Sequence, residues 1–141
     1  PEAPWFLLFV LGRYSAGQRS QPADLLPFVQ AHTGPEPWAV CAFGAQENAC
    51  LLTAAALGGH ARMGFENNLL LPDGSTAPDN AALVRLAAQG APLIGRPLAS
   101  ADQVRERFHE VALFVSASET HNKRNSQHTG WVDEQVTRFD Y

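Results

Sequence analysis

An arginine and a glutamate lie four residues apart in the segment GGHARMGFENNLLLPDG, residues 58–74, and could form a reactive pair. The planar guanidinium of Arg62 can bind a carboxylate at two points. The carboxylate of Glu66 can bind a metal ion or a proton. Gly64 lies between them, and its missing side chain is expected to leave room for a ligand.

Each of these residues also has a structural interpretation that the sequence leaves open. Arg62 and Glu66 could form an ion pair that only fills the interior. Asn67 and Asn68 are typical of turns, where their side chains bind nearby backbone groups. His60 is more typical of a structural histidine than of a ligand.

Three repeats of an apolar segment followed by a helical segment surround this pair. Short apolar runs without alternation are typical of strands buried on both faces. The predicted strands are residues 5–11, 37–42 and 60–65, and the predicted helices lie near 22–32, 45–57 and 78–89. Gly58 and Gly59 predict a helix end, Pro78 a first-turn position and Gly90 a helix stop. A fourth helix is predicted from Ala99 and continues toward residue 115, with Ser100 as its N-cap.

Strands that alternate with helices predict an α/β fold with a parallel sheet, either open and doubly wound or part of a (β/α)₈ barrel. On a strand through residues 60–65, His60, Arg62, Gly64 and Glu66 would share one face. Glu66 would then lie at the carboxyl end, where both architectures place their sites. Helices are expected to cover the opposite face.

Composition narrows the class of protein. A net charge of −4, a pI near 5.7 and the lack of a dense Lys/Arg run argue against a nucleic-acid partner. The run WFLLFVLG is too short to cross a membrane. Cys41 and Cys50 are expected to be reduced, buried residues, which fits a cytoplasmic protein.

The chain begins with Pro1 and then an apolar run, so we expect a partial chain whose first strand had upstream neighbours. Residues 1–108 are predicted to be strand–helix units. Residues 109–141 are predicted to be a helix end and a polar tail that lacks apolar anchors and is mobile or held by a partner.

The segment GGHARMGFENNLLLPDG...APDNAALV resembles the closing part of the beta-keto acid cleavage enzymes, the family of the 3-keto-5-aminohexanoate cleavage enzyme. The family's last barrel strand reads GGH, Arg-x-Gly-x-Glu-Asp-Asn, a Leu-rich stretch and Pro-Asp-Gly. FVLG and WAVCAFG are similar to the two strands before it. The resemblance extends to about Phe108.

The resemblance implies a zinc-dependent (β/α)₈ enzyme of the transferase class, which exchanges acyl groups between a beta-keto acid and acetyl-CoA to give acetoacetate and a CoA thioester. Glu66 falls on the family's carboxylate zinc ligand and Arg62 on its catalytic arginine. Asn67 falls on an aspartate that assists proton abstraction. The family's two zinc-binding histidines form a His-x-His on an early strand.

Two positions depart from the family pattern. Asn67 cannot accept a proton at neutral pH, so the sequence does not identify the general base. No His-x-His occurs, because all five histidines are isolated (His32, His60, His109, His121 and His128). We therefore expect a chain that is inactive and binds zinc weakly by itself, and that works in a homo-oligomer or with a missing N-terminal half. The alternatives are a small non-catalytic α/β domain that binds an acidic metabolite, and a fragment that folds against a complementary half.

Overall fold

The computed structural model describes residues 5–109, which fall into two units. Trp5–Ala101 form an α/β unit that contains the candidate site. Residues 102–109 belong to the other unit and are helical. Helical geometry begins at residue 101, directly after Ser100, as the predicted N-cap requires. The predicted continuation to residue 115 and the polar tail lie outside the described residues, so the division at residue 108 stays a prediction.

A three-stranded parallel sheet forms the centre of the α/β unit. Its strands are β1 (Leu7–Leu11), β2 (Trp38–Ala42) and β3 (His60–Ala61), in the order β1-β2-β3. Leu7 lies opposite Trp38, and Ala39 lies opposite His60. The prediction of adjacent parallel strands is confirmed.

The third strand is much shorter than the predicted 60–65. Its last ladder bond runs from the Arg62 N–H to the Val40 carbonyl, at 2.9 Å. The chain then turns, and the Gly64 carbonyl accepts from the N–H groups of Asn67 and Asn68. Gly64 has a φ of +138°, which an L-amino acid rarely adopts. The strand prediction was wrong beyond Ala61, because after the Arg62 N–H the backbone forms its hydrogen bonds locally instead of along the sheet.

The helices are α1 (Leu26–Ala31), α2 (Glu47–Ala56) and α3 (Asn80–Leu93), and a 3-10 turn (Pro22–Leu25) precedes α1. The predicted helix near 22–32 is therefore divided. Pro27 has no N–H to bond the Ala23 carbonyl, and the Leu26 N–H bonds it instead. The missing N–H of Pro27 therefore explains why the segment before α1 is a 3-10 turn.

The glycine pair after α2 ends that helix as predicted. Gly58 has a φ of +95°, its N–H donates to the Ala55 carbonyl, and the Gly59 N–H donates to the Ala54 carbonyl. These two bonds form a Schellman motif, which satisfies the last carbonyls of the helix. β3 begins at the next residue, so the motif also sets where β3 enters the sheet.

Both ends of α3 differ from the prediction. Asp79 is the N-cap, and its Oδ1 accepts from the Ala82 N–H at 2.7 Å, so Pro78 lies before the helix and not in its first turn. Gly90 lies inside α3 and does not stop it. A Cβ at Gly90 would lie 2.7 Å from the Leu52 side chain of α2. Gly90 therefore allows α3 to approach α2 closely.

The core lies between the sheet and α2. Its side chains are Leu11, Leu25, Val40, Ala42, Cys50, Leu51 and Ala54. Cys41 and Cys50 are buried, as predicted, and do not form a disulfide with each other. Phe6 and Leu8, near the start of β1, remain partly exposed. In the described part of the chain, no helix is both long and apolar enough to span a bilayer.

Substituting Gly12 tests the turn that follows β1. Gly12 has a φ of +82°, and a Cβ there would lie 2.7 Å from the carbonyl group of Arg19. Gly74 has a similar φ of +86°, but a Cβ there would meet no described atom within 4 Å. Gly74→Ala should cost about 1 to 2 kcal/mol of unfolding free energy for the left-handed conformation alone. Gly12→Ala should cost clearly more, because overlap with the backbone adds to the strain.

Urea unfolding of both variants measures the difference. Equal losses of stability at the two positions would contradict the close approach of Gly12 and Arg19.

Candidate functional site

Arg62 lies on the sheet face opposite the helices. Met63, the next residue, packs against the helix-facing core, so Arg62 points the other way. Cys41 also points away from the core, because its neighbours Val40 and Ala42 face it. Burial raises the pKa of the Cys41 thiol, while the positive charge and hydrogen bonding of Arg62 oppose that rise. The guanidinium therefore lies beside Cys41 on the helix-free face.

Glu66 forms an ion pair with Arg62. The side chain of Glu66 is 68% exposed and that of Arg62 is 34% exposed, so the pair does not fill an interior within the described residues. The expected strand alternation does not produce this contact. Glu66 lies in the turn that begins at Gly64, and the turn brings its carboxylate back to Arg62.

Gly64 does not leave the ligand space that the sequence suggested. A Cβ at this position would lie 2.8 Å from Oδ1 of Asn80, so the Asn80 side chain occupies that side. The same Oδ1 accepts from the Phe65 N–H at 3.0 Å. Glycine is therefore required for the turn and for the approach of α3, and the expectation of a vacant space there was wrong.

A buried carboxylate, Glu47, holds this turn from the side of α2. Glu47 is only 2% exposed. Its Oε1 accepts from the Gly64 N–H at 3.4 Å, and its Oε2 accepts from Nδ2 of Asn68 at 3.1 Å. Burial raises the pKa of Glu47, and the bonds from Asn68 and Gly64 oppose the rise. No cation pairs with Glu47 among the described residues, so two neutral donors hold the buried carboxylate.

The sequence pattern did not single out Glu47. It is the first residue of α2, where an acidic residue is ordinary because it favours the positive end of the helix dipole. The available signal was a lone acid at the start of the otherwise apolar segment ACLLTAAAL. Its hydrogen-bond partners, Gly64 and Asn68, lie 17 and 21 residues away in sequence, so no local pattern predicts these contacts.

The two adjacent asparagines have different environments. Asn68 donates to the Leu70 carbonyl at 2.7 Å and accepts from the Leu70 N–H at 2.9 Å, which confirms its interpretation as a turn former. Asn67 is also buried, and its backbone N–H donates to the Gly64 carbonyl. Its side chain makes no hydrogen bond to Arg62 in the part of the chain that is described. The amide of Asn67 therefore does not orient the guanidinium there.

The described residues do not complete a metal site. No group of three or more His, Cys, Asp or Glu side chains that could hold an ion occurs within residues 5–109. Zinc in proteins takes at least three protein ligands, and the described residues do not bring such a set together. His60 lies beside the Phe6 ring, with centroids 6.3 Å apart, which favours its structural interpretation.

The sequence matches the model of the beta-keto acid cleavage enzyme family over residues 1–109. The chain belongs to this family. It is 30% identical over 105 residues to the 3-keto-5-aminohexanoate cleavage enzyme of Acetoanaerobium sticklandii, and 31% identical over 106 residues to that of Fusobacterium nucleatum subsp. nucleatum. Each alignment covers 74% of this chain but 38% of the relative. The chain thus spans well under half the length of these curated relatives.

The buried carboxylate predicts a specific pH dependence. Because burial raises the pKa of Glu47 above its ordinary 4.5, the folded state binds this proton more tightly than the unfolded state. The resulting stabilisation is fully present below about pH 4.5 and is lost as the pH rises through the folded-state pKa. Glu47→Gln is neutral throughout. The stability of the wild type relative to Glu47→Gln should therefore fall as the pH is raised from about 4.5 to 8.

Urea unfolding of both proteins across this range measures the gap, since every other titrating group is shared. A gap that does not change with pH would contradict the burial of an ionisable Glu47.

Proposed function

We propose that this chain supplies the closing strand–helix units of a zinc-dependent (β/α)₈ enzyme that exchanges acyl groups between a beta-keto acid and acetyl-CoA. The observation that carries the proposal is the turn after β3, which joins Arg62 and Glu66 within the family-matched region. The parallel order of β1, β2 and β3 is that of consecutive barrel strands. The site lies at their carboxyl end, where barrel enzymes place their chemistry.

The helix-free face supports a barrel interior. Phe6 and Leu8 are partly exposed there, and Arg62 and Cys41 occupy the same face. In a closed barrel this face would be covered by side chains from the other strands, and both sheet edges would be paired. The strands that close it would come from outside the described residues, either from the same protein or from another subunit.

Arg62 is proposed to bind the beta-keto acid. Its guanidinium can hold the substrate carboxylate through two parallel hydrogen bonds, or stabilise the enolate oxygen that develops when the carbon–carbon bond breaks. The ion pair with Glu66 leaves the rest of the guanidinium available, because Arg62 is partly exposed. A beta-keto acid carries both a carboxylate and a ketone, and the oxygens of both groups can accept hydrogen bonds from the positively charged guanidinium.

Glu66 is proposed as one ligand of the zinc ion. An exposed carboxylate at the rim of the sheet can turn from Arg62 toward a cation without losing a buried partner. The remaining ligands must come from outside residues 5–109, since those residues do not complete a site. The ion would supply Lewis-acid polarisation of the substrate carbonyl.

The proposal is tested in a complete protein that contains this chain. Acetoacetate formation is measured from candidate beta-keto acids with acetyl-CoA, together with bound zinc. Glu66→Ala should abolish both bound zinc and turnover, whereas Asp73→Ala in the exposed turn should change neither. Retention of zinc and full turnover in Glu66→Ala would refute the proposed role of this site.

Asn67 gives a prediction about the general base. The buried Asn67 side chain cannot accept a proton and makes no described hydrogen bond to Arg62, so an orienting role has no structural support. Asn67→Asp would restore the carboxylate that the family pattern has at this position. Turnover should then rise, by up to about 10² to 10⁴ if no other base replaces it, while bound zinc stays unchanged.

The comparison uses kcat at saturating substrates and zinc content of both proteins. Equal kcat values would show that another group takes the proton and would discard this account of Asn67.

A further inference from the structure

The loop after β1, residues 12–20, is the second polar feature at the carboxyl edge of the sheet. Gly12 opens it with a positive φ. The Ser15 hydroxyl lies 2.8 Å from the Gly12 carbonyl oxygen and 2.7 Å from the Arg19 carbonyl oxygen, and it accepts from the Arg19 N–H at 2.8 Å. These contacts close the loop on itself. The loop therefore has a defined conformation that its own hydrogen bonds hold.

The loop is also fixed to the neighbouring strand. The Ser20 N–H and hydroxyl both donate to the Phe43 carbonyl, at 3.0 and 2.8 Å, directly after β2. A Cβ at Gly44 would lie 3.0 Å from the Gln18 carbonyl oxygen, so the loops after β1 and β2 touch. This arrangement holds the loop at the sheet edge that also carries Arg62.

Two arginines of this loop have no anionic partner among the described residues. No described carboxylate lies within 4 Å of the guanidinium of Arg13 or Arg19, whereas Arg62, Arg85 and Arg105 each form an ion pair. The chain carries a net charge of −4, so acidic groups are not scarce. Two guanidinium groups on one closed loop, without a described counter-charge, form a local positive site on an acidic protein.

A cleft of about 340 Å³ is lined in part by this loop. Arg13, Tyr14, Ser15 and Arg19 line it together with Phe28 of α1. Asp24 also lines it and brings one negative charge beside the two guanidinium groups, so the formal charge of the cleft is still positive; Oδ2 of Asp24 accepts from the Gln21 N–H. Tyr14 is 94% exposed, and the Arg13 guanidinium lies 5.9 Å from the centroid of its ring. The cleft thus combines positive charge with an available aromatic face.

We propose that this cleft binds the phosphate groups of the coenzyme A thioester, with Arg13 and Arg19 as the phosphate-binding residues and Tyr14 as a stacking surface for the base. Guanidinium groups match phosphate oxygens in a two-point geometry, and an aromatic ring next to them suits a nucleotide. The inference rests on the proposed function, in which acetyl-CoA is the phosphate-bearing reactant. The thioester arm would then extend along the carboxyl edge toward Arg62.

Direct binding tests the cleft independently of turnover. CoA, dephospho-CoA, pantetheine and inorganic pyrophosphate are titrated into the protein by calorimetry, for the wild type and for Arg13→Gln, Arg19→Gln and Arg85→Gln. Arg85 is the matched control, because it is an exposed arginine paired with Asp79 on α3, away from the cleft. Each loop variant should weaken CoA binding about tenfold, the typical value of one hydrogen bond to a charged group. Arg85→Gln should bind as the wild type does.

Further measurements separate recognition of the phosphate groups from recognition of the rest of CoA. Pantetheine has no phosphate, so its affinity should be the same in all variants, and added salt should weaken CoA binding more than pantetheine binding. Arg13→Lys and Arg19→Lys keep the charge and should recover part of the affinity. In the active protein, the loop variants should raise KM for acetyl-CoA and leave KM for the keto acid unchanged.

Equal CoA affinities for Arg13→Gln, Arg19→Gln and Arg85→Gln would overturn the site. So would pantetheine losing affinity as much as CoA does. If CoA binds as predicted and a complete protein that contains this chain turns over no keto acid, the proposed function fails while the phosphate site stands. If the loop variants turn over keto acid and keep the wild-type CoA affinity, the phosphate site fails while the proposed function stands.

Discussion

The candidate site depends on one buried interaction, the contact of the Glu47 carboxylate with the turn after β3. A carboxylate that is 2% exposed is costly unless donors satisfy it, and here the donors are the Gly64 N–H and the Asn68 amide. Both donors belong to the segment that carries Glu66. The cost of leaving the carboxylate unsatisfied therefore favours the turn conformation that returns Glu66 to Arg62. These hydrogen bonds therefore fix the start of α2 relative to the turn after β3.

The glycines complete this arrangement. Gly64 adopts a backbone conformation that other residues avoid and allows Asn80 to approach, so α3 holds the turn from a second side. Gly58 and Gly59 end α2 and lead at once into β3. A turn held by α2 and α3 can keep an exposed ion pair in place even though such a pair contributes little stability by itself.

Much of this fold could be predicted from sequence because it rests on local signals. Apolar runs ending in glycine identified β1 and β2, and the glycine pair identified the end of α2. The length of β3 could not be predicted, since it depends on Gly64 closing a turn with Asn67 and Asn68. Gly90 looked like a helix stop because its contact with Leu52 is a tertiary one. Arg62 and Glu66 were identified from their spacing, and the family resemblance supplied their expected roles, whereas Glu47 was missed because its partners are distant in sequence.

A double-mutant cycle between Glu47 and Asn68 tests most directly whether the buried contact holds the turn. Unfolding free energies are measured in urea for the wild type, Glu47→Ala, Asn68→Ala and the double variant, with Glu47 and the exposed Asp73 as the control pair. The account predicts a coupling free energy of about 1 to 3 kcal/mol for Glu47 and Asn68, and none for the control pair. Additivity of the Glu47 and Asn68 effects within about 0.5 kcal/mol would contradict it.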